Sequence, residues 1–305
     1  MPRDPLLTAR QGETLTQQLQ WLTLFMDPLE PLWRAALDAV LSAPVMHLDS
    51  RGLPVVLDDS KPLESKLGSF WVYVGGSTAL FVYSPAGKEQ DGLGPEKLLA
   101  RRQGYVVTSC SSRFDFVFQQ PSLVPCGCNR EVQRLLLRSG DPRATNALNL
   151  FQQLYALEDE TRGLSPEARL SRRQTQSRPG YDDLVRWCTK LRPDEPPSSP
   201  LGRAVHHVLD HEAALRRFLD DGVIPIDNTV IEQLPVRSAL VRKPLVASSD
   251  AEAQRAAIVC TLWSSCLLAG VEPITYLHDV LERLAHGVPP GSIAELLPSR
   301  RRALH

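Results

Sequence analysis

The feature that most constrains this chain is a change of hydrophobic period near Asn129. Between Pro44 and Cys128 the apolar residues come in short, strand-like runs: Val45-Met46-His47-Leu48, Phe70-Trp71-Val72-Tyr73-Val74 and Ala79-Leu80-Phe81-Val82-Tyr83. Gly75-Gly76-Ser77 supplies a tight hairpin turn between the last two. A helix over 95–102 is predicted to lead into a strand at Gly104-Tyr105-Val106-Val107-Thr108, and Ser122-Leu123-Val124 suits a fifth strand. Beyond Asn129 the spacing is helical almost throughout, over 131–138, 142–162 and 181–191. Another helix is opened by Ser165 as N-cap, with Pro166 at its first position and Glu167 in its first turn. The Pro- and Ser-rich stretch 193–200 predicts an exposed linker, and further helices are predicted over 201–221, 227–241, 250–269 and 273–286. Ahead of the strands, Leu19, Leu22, Phe25 and Met26, then Leu32, Trp33, Ala36, Leu37 and Val40, predict two helices.

Strands followed by helices imply an α/β or α+β architecture. The expected division is N-terminal helices over 1–44, a sheet over 45–128, a helical insertion over 129–222, and a closing helical segment over 223–305 that carries Glu232. At 305 residues the chain can bury a substantial core. A formal net charge of -1 provides no global attraction to nucleic acid, so any DNA-facing surface has to be local. The first eleven residues contain Asp4 and no apolar core, so they do not read as a signal peptide. The most apolar stretch, 256–271, is broken by Thr261, Ser264 and Ser265 and reads as a buried helix rather than a membrane span. The six cysteines show no paired C-x-x-C spacing, so neither a zinc ribbon nor a disulfide scaffold is indicated, and the expected compartment is the reducing cytoplasm.

Two acids suit chemistry. Asp49 follows the first predicted strand, and Glu232 lies on a helix that begins near Asp227-Asn228. Carboxylates so placed can share two divalent cations roughly 3.5–4 Å apart and act on a phosphodiester. A third acid belongs at the end of the strand after the connecting helix, where the chain reads Val107-Thr108-Ser109-Cys110. An aspartate after a strand serves equally as a turn or cap residue, so spacing alone leaves the catalytic reading open.

Several words in order carry a resemblance. They are Leu154-Tyr155-Ala156-Leu157-Glu158 with Gly163-Leu164-Ser165-Pro166-Glu167, then Phe218-Leu219-Asp220-Asp221-Gly222 and Pro225-Ile226-Asp227-Asn228. Arg242-Lys243, Arg255-Ala256-Ala257 and Gly270-Val271-Glu272-Pro273 with Tyr276-Leu277 follow. From about Gly12 to Ser299 the chain resembles transposases of the insertion sequence 66 family, which use a DDE-type acidic triad. The resemblance implies a ribonuclease-H-like fold with a long helical insertion, and DNA cleavage and joining at insertion-sequence ends with Mg2+ or Mn2+. Asp49 matches the family's first catalytic aspartate, Glu232 its final glutamate, and Asp227 and Asn228 the polar pair leading that helix. The second aspartate falls on Ser109, which implies weak or absent turnover; Asp115 is the nearest acid that can substitute. Other departures agree. Glu-Thr after the first aspartate becomes Ser50-Arg51, Cys-Trp-Ala-His becomes Cys126-Gly127-Cys128-Asn129, and Asp-Asn-Asn becomes Asp227-Asn228-Thr229. The arginine after the glutamate becomes Gln233, and Arg-Lys-Asn becomes Arg242-Lys243-Pro244. Family members extend further at the N-terminus with zinc-binding and helix-turn-helix segments, so a shortened chain is expected. DNA is the implied partner, with other transposition subunits or a second copy beside it and no membrane. The alternative is a non-catalytic relic or accessory subunit that binds DNA or protein.

Remaining features carry paired readings. His207 and His211, four apart, have metal-pair spacing but are explained as well by a polar helix face. Cys126 and Cys128 read as buried thiols rather than redox or metal groups. Arg169, Arg172, Arg173 and Arg178 suit either a phosphate-binding stripe or a solvated helix face. Arg237, Arg242 and Lys243 follow the Glu232 helix and are the expected DNA contacts, while Arg300-Arg301-Arg302 reads as a solvated tail.

Overall fold

A computed structural model describes residues 27–56, 65–85, 94–234 and 249–301. The helix expected over 19–26 lies outside them. By compactness the chain forms two units, Met1–Arg102 with Val230–His305, and Gln103–Thr229.

In the first unit, β1 (Val45–Val56), β2 (Ser65–Gly75) and β3 (Thr78–Ser84) pair antiparallel in sequence order. The β2–β3 turn is the expected one, with Gly76 at φ 57°, a conformation that costs glycine little. β1 is longer than its apolar run. Backbone pairing with β2 continues past Leu48, through Asp49↔Val72 and Ser50↔Trp71, so Asp49 sits inside the strand rather than after it. Ladder hydrogen bonds need no apolar side chain, which is why hydrophobicity under-read this strand.

All seven residues of β3 are buried, and its outer edge is covered by a helix rather than by another strand. The helix Asp250–Ala269 lies along it, buried continuously from Ala256 to Cys266. Two of the hydroxyls that interrupt its apolar run serve the edge. Thr261 Oγ1 accepts from Phe81 N at 2.8 Å, and Ser265 Oγ accepts from Ala79 N at 3.0 Å and donates to Ala79 O at 3.1 Å. Trp33, on the helix Glu30–Leu41, donates its indole N–H to Phe81 O at 2.9 Å. The edge backbone groups are thus satisfied without exposing a pairing template.

The helix predicted over 95–102 ends at Leu99, because Arg102 has another role. Its side chain is 1% exposed and donates to Leu41 O (2.8 Å), Val40 O (3.4 Å) and Pro44 O (3.4 Å). It thereby closes the helix Glu30–Leu41 and fixes the entry to β1. Burial lowers its pKa to about 10. At the other end, Glu272 caps the helix Pro273–Ala285 by accepting from Ile274 N and Thr275 N. Arg301 pairs with Asp279 and lies over the Tyr276 ring, so this part of the terminal arginine run is docked rather than solvated.

In the second unit, β4 (Gly104–Thr108) and β5 (Leu123–Gly127) pair parallel from Gly104↔Leu123 to Thr108↔Gly127. The connection contains a 3-10 turn, Ser112–Phe114, and the short helix Asp115–Gln119. The helices Asn129–Ser139, Thr145–Glu160, Pro166–Arg172, Arg178–Leu191 and Pro200–Asp210 follow, with a π-helical segment at Arg173–Ser177. Ser165 caps its helix as expected, accepting from Ala168 N. The helix predicted over 201–221 breaks at His211 and resumes as Glu212–Leu215 and the 3-10 turn Arg217–Leu219. The stretch 193–200 is mostly exposed and irregular as expected, but it is anchored by Glu195, which is buried, pairs with Arg143 at 2.7 Å and accepts from Ser199 Oγ at 2.8 Å. Antiparallel and parallel strands with abundant helix make the expected α+β class. Among the described residues no single helix is long and apolar enough to cross a membrane.

Candidate functional site

Asp49 is half-buried in β1, and its Oδ1 accepts from Ser50 N at 2.8 Å. Glu232, also half-buried, is the last residue of the helix Thr229–Glu232; the helix predicted over 227–241 thus begins two residues later and gives way to a turn at Gln233, and 235–241 lie outside the described residues. So do Arg237, Arg242 and Lys243.

Ser109 sits directly after β4, where the third acid was expected, and its hydroxyl is 3.4 Å from that of Ser111. Cys110 follows at φ 57°, the sole non-glycine residue with a positive φ among those described. Such a conformation costs an L-residue about 1–2 kcal/mol, and strained positions concentrate at functional turns. The Cys110 N–H turns back to Thr108 Oγ1 at 3.2 Å. Asp115 is exposed at the first position of the helix Asp115–Gln119, neither strand nor loop. Among the described residues no three His, Cys, Asp or Glu side chains gather to cage a metal ion, so neither Asp49 nor Glu232 belongs to such a group.

Asp227 and Asn228 form a buried turn. Asp227 Oδ1 accepts from Thr229 N at 2.9 Å and fixes the first residue of the Glu232 helix, while Oδ2 lies 3.5 Å from Arg130 Nε. Arg130 in turn covers the face of Tyr155, 3.8 Å from the ring centroid. Burial and then the Asp227 charge push the Tyr155 pKa up. Asn228 N donates to Cys128 Sγ at 3.3 Å. Beneath the turn lies Asn129, fully buried. Its Nδ2 donates to Leu215 O (2.9 Å) and Ile226 O (3.0 Å), and its Oδ1 accepts from Tyr181 Oη (2.8 Å). The departure from the family's histidine is therefore a packed and satisfied residue.

Of the four arginines singled out in the helical insertion, Arg173 is buried, Arg169 and Arg178 are half-buried and Arg172 is exposed. Arg173, 0% exposed at the start of the π segment, makes a two-pronged pair with Glu158, at 2.7 and 2.6 Å. Its Nη1 donates to Phe218 O (2.8 Å), Asp221 O (3.2 Å) and Ile224 O (2.9 Å). Gln174 and Arg178 both reach Leu219 O, Arg178 also pairs with Asp220, and Arg169 reaches Gly222 O. Arg172 pairs with Glu160 on the surface. A phosphate-binding stripe is not what these residues form. Sequence reasoning missed this arrangement because Glu158 and Arg173 sit on different helices, and only the family word at 154–158 marked the place.

All six cysteines are buried free thiols, and burial pushes Cys110 and Cys126 up to about 12, which keeps them protonated and inert. His207 and His211 meet edge to face, 5.0 Å between centroids, without a third metal-binding side chain. Burial, then repulsion by His211, lowers the His207 pKa to about 4.

The chain matches the family model for the Transposase IS66 family over residues 7–255 and the IS66 C-terminal element over residues 261–299. It is similar to the uncharacterized protein y4hP of Sinorhizobium fredii, 28% identical over 93% of this chain and 55% of the relative. Two others from that organism, y4jD and y4qI, are 31% identical over 65% of this chain and 33% identical over 51%. They are covered over 37% and 29% of their own lengths, so this chain spans about half or less of the relatives it matches. No solved structure matches.

Proposed function

The chain belongs to the IS66 family of transposases, and from that premise we propose that it is a DNA-binding member with impaired strand cleavage and joining. The observation that carries this reading is Ser109, at the end of β4 where the family's second aspartate belongs. A hydroxyl brings no negative charge and is a poor divalent-cation ligand beside carboxylates. Asp49 and Glu232 would hold Mg2+ or Mn2+, whose chemistry is to polarise a phosphodiester and stabilise the leaving oxygen. Two acids without a third do not complete that donor set, and no group of three acidic, histidine or cysteine side chains gathers among the described residues. Exposed Asp115 opens a helix and does not repair the deficit. The order of three antiparallel strands, helix, strand, helix, parallel strand supports a ribonuclease-H-like reading of the fold.

In this reading DNA at insertion-sequence ends meets Arg237, Arg242 and Lys243, while Asp227 and Asn228 hold the head of the Glu232 helix. The work belongs to the cytoplasm, beside the DNA, with other transposition subunits or a second copy as partners. The same missing acid favours a second reading, an accessory subunit that binds without cutting.

One experiment separates them. A labelled duplex carrying candidate element ends is incubated with Mg2+ or Mn2+ and either the unmodified chain or Ser109→Asp. Silence in the first and nicking in the second, gained by about 100-fold or more, is expected, since even outer-shell partners of a metal site carry roughly 10–100-fold. Efficient nicking by the unmodified chain overturns impairment. Silence of Ser109→Asp together with a salt-sensitive gel shift favours the accessory reading.

A further inference from the structure

From the buried contacts of the second unit we infer that Arg173 is a positioning residue: it clamps the segment 218–224 and so holds the Asp227-Asn228 turn from which the Glu232 helix starts. The inference rests on the family reading only in naming that turn as part of the site.

The segment between the 3-10 turn Arg217–Leu219 and the helix Thr229–Glu232 has no regular structure, so its carbonyls need outside donors. From Phe218 to Ile224 most of these donors come from one stretch of chain, beside an Ile224 N–H to Asp221 O bond within the segment. Arg173 satisfies Phe218 O, Asp221 O and Ile224 O, Gln174 and Arg178 satisfy Leu219 O, and Arg169 satisfies Gly222 O. The π segment Arg173–Ser177 interrupts the helical path where this grip is made, and such bulges recur at functional sites. Gly222 lets the two segments come into near contact, because a Cβ there would run into the Pro166 carbonyl. Downstream, Ile226 O is tied twice to Asn129, and Asn228 N reaches Cys128 Sγ, so the turn is held from both sides.

Glu158 makes the clamp possible. A guanidinium removed from water requires a counter-charge, and Glu158 supplies both oxygens while leaving Nη1 for the three carbonyls. The helical insertion thereby acts as a brace for the acidic turn.

The test exploits that division. In Arg173→Met with Glu158→Met the ion pair is replaced by apolar side chains, a change that buried pairs often tolerate, whereas Phe218 O and Ile224 O lose the Arg173 donor and Asp221 O keeps only the Ile224 N–H. Two local probes are read: amide hydrogen exchange over 224–229, and alkylation of Cys128, which is 2% exposed and lies against Asn228. Both are expected to accelerate by about tenfold or more, while exchange in the helix Thr145–Glu160 and alkylation of Cys188 and Cys260 stay as in the unmodified chain. A merely structural role would open all thiols together; that result, or no change at 224–229 and Cys128, overturns the inference. Should the pair variant not fold, Arg173→Lys decides by the same criteria, since it keeps a cation beside Glu158 but gives up the guanidinium contacts to the segment's carbonyls. Neither probe depends on DNA chemistry, so this inference and the functional reading fail separately.

Discussion

Asn129 stands where the family carries a histidine, and its carboxamide makes three hydrogen bonds inside the core. Asn129→Ala strands the Tyr181 hydroxyl and removes a donor from two carbonyls. A loss of about 3 kcal/mol is expected in urea unfolding. Asn129→His, which restores the family residue, is also expected to destabilise, because two ring nitrogens cannot replace two donors and one acceptor. Gly222→Ala places a methyl group against the Pro166 carbonyl and is expected to cost about 1–3 kcal/mol through overpacking. His207 makes a pH prediction. Burial lowers its pKa from 6.5 to about 4, so as pH falls through that window the unfolded chain takes up the proton first. Stability is expected to fall across the window and to level off below it, and His207→Gln should flatten the slope of urea midpoint against pH. None of these partners was legible in sequence. Each residue type was visible, but hydrogen-bond partners 52 to 97 positions away are set by packing.

At the scale of elements, the helix Asp250–Ala269 was predicted to its ends, and the structure shows Ser249 capping its start and Gly270 closing it. Its hydroxyls were read as interruptions of a membrane-like stretch, whereas they replace a missing neighbour strand for β3. Thr261→Val keeps the shape and removes the acceptor of Phe81 N. It is expected to cost about 1–3 kcal/mol, and faster amide exchange at Phe81 is the check. β1 shows the opposite error. The polar stretch Asp49-Ser50-Arg51-Gly52 interrupts its apolar residues, yet the ladder with β2 runs through it and on to Val56↔Ser65. The helix forecast over 201–221 failed at His211 because helical spacing persists through a break that backbone geometry makes.

For the whole molecule, a net charge of -1 and an insertion whose arginines are largely internally paired limit DNA attraction to local patches. Binding to duplex is accordingly expected to weaken steeply between low and physiological salt, with a slope that reports few phosphate contacts. A gel-shift series over ionic strength measures it, and a salt-independent complex would contradict the proposed DNA role. By itself the sequence determined the α+β class, the hairpin at Gly76, the capped helices and the family, since these rest on period, capping residues and ordered words. It also exposed the missing acid at Ser109, because a motif position is read residue by residue. Only the tertiary structure decided that Arg102 and Arg173 face inward, that Asn129 is a core hub and that Asp49 lies within a strand. The physical reason is that backbone carbonyls without helix or sheet partners recruit whatever donor the fold brings near, and a linear chain does not announce which one that will be.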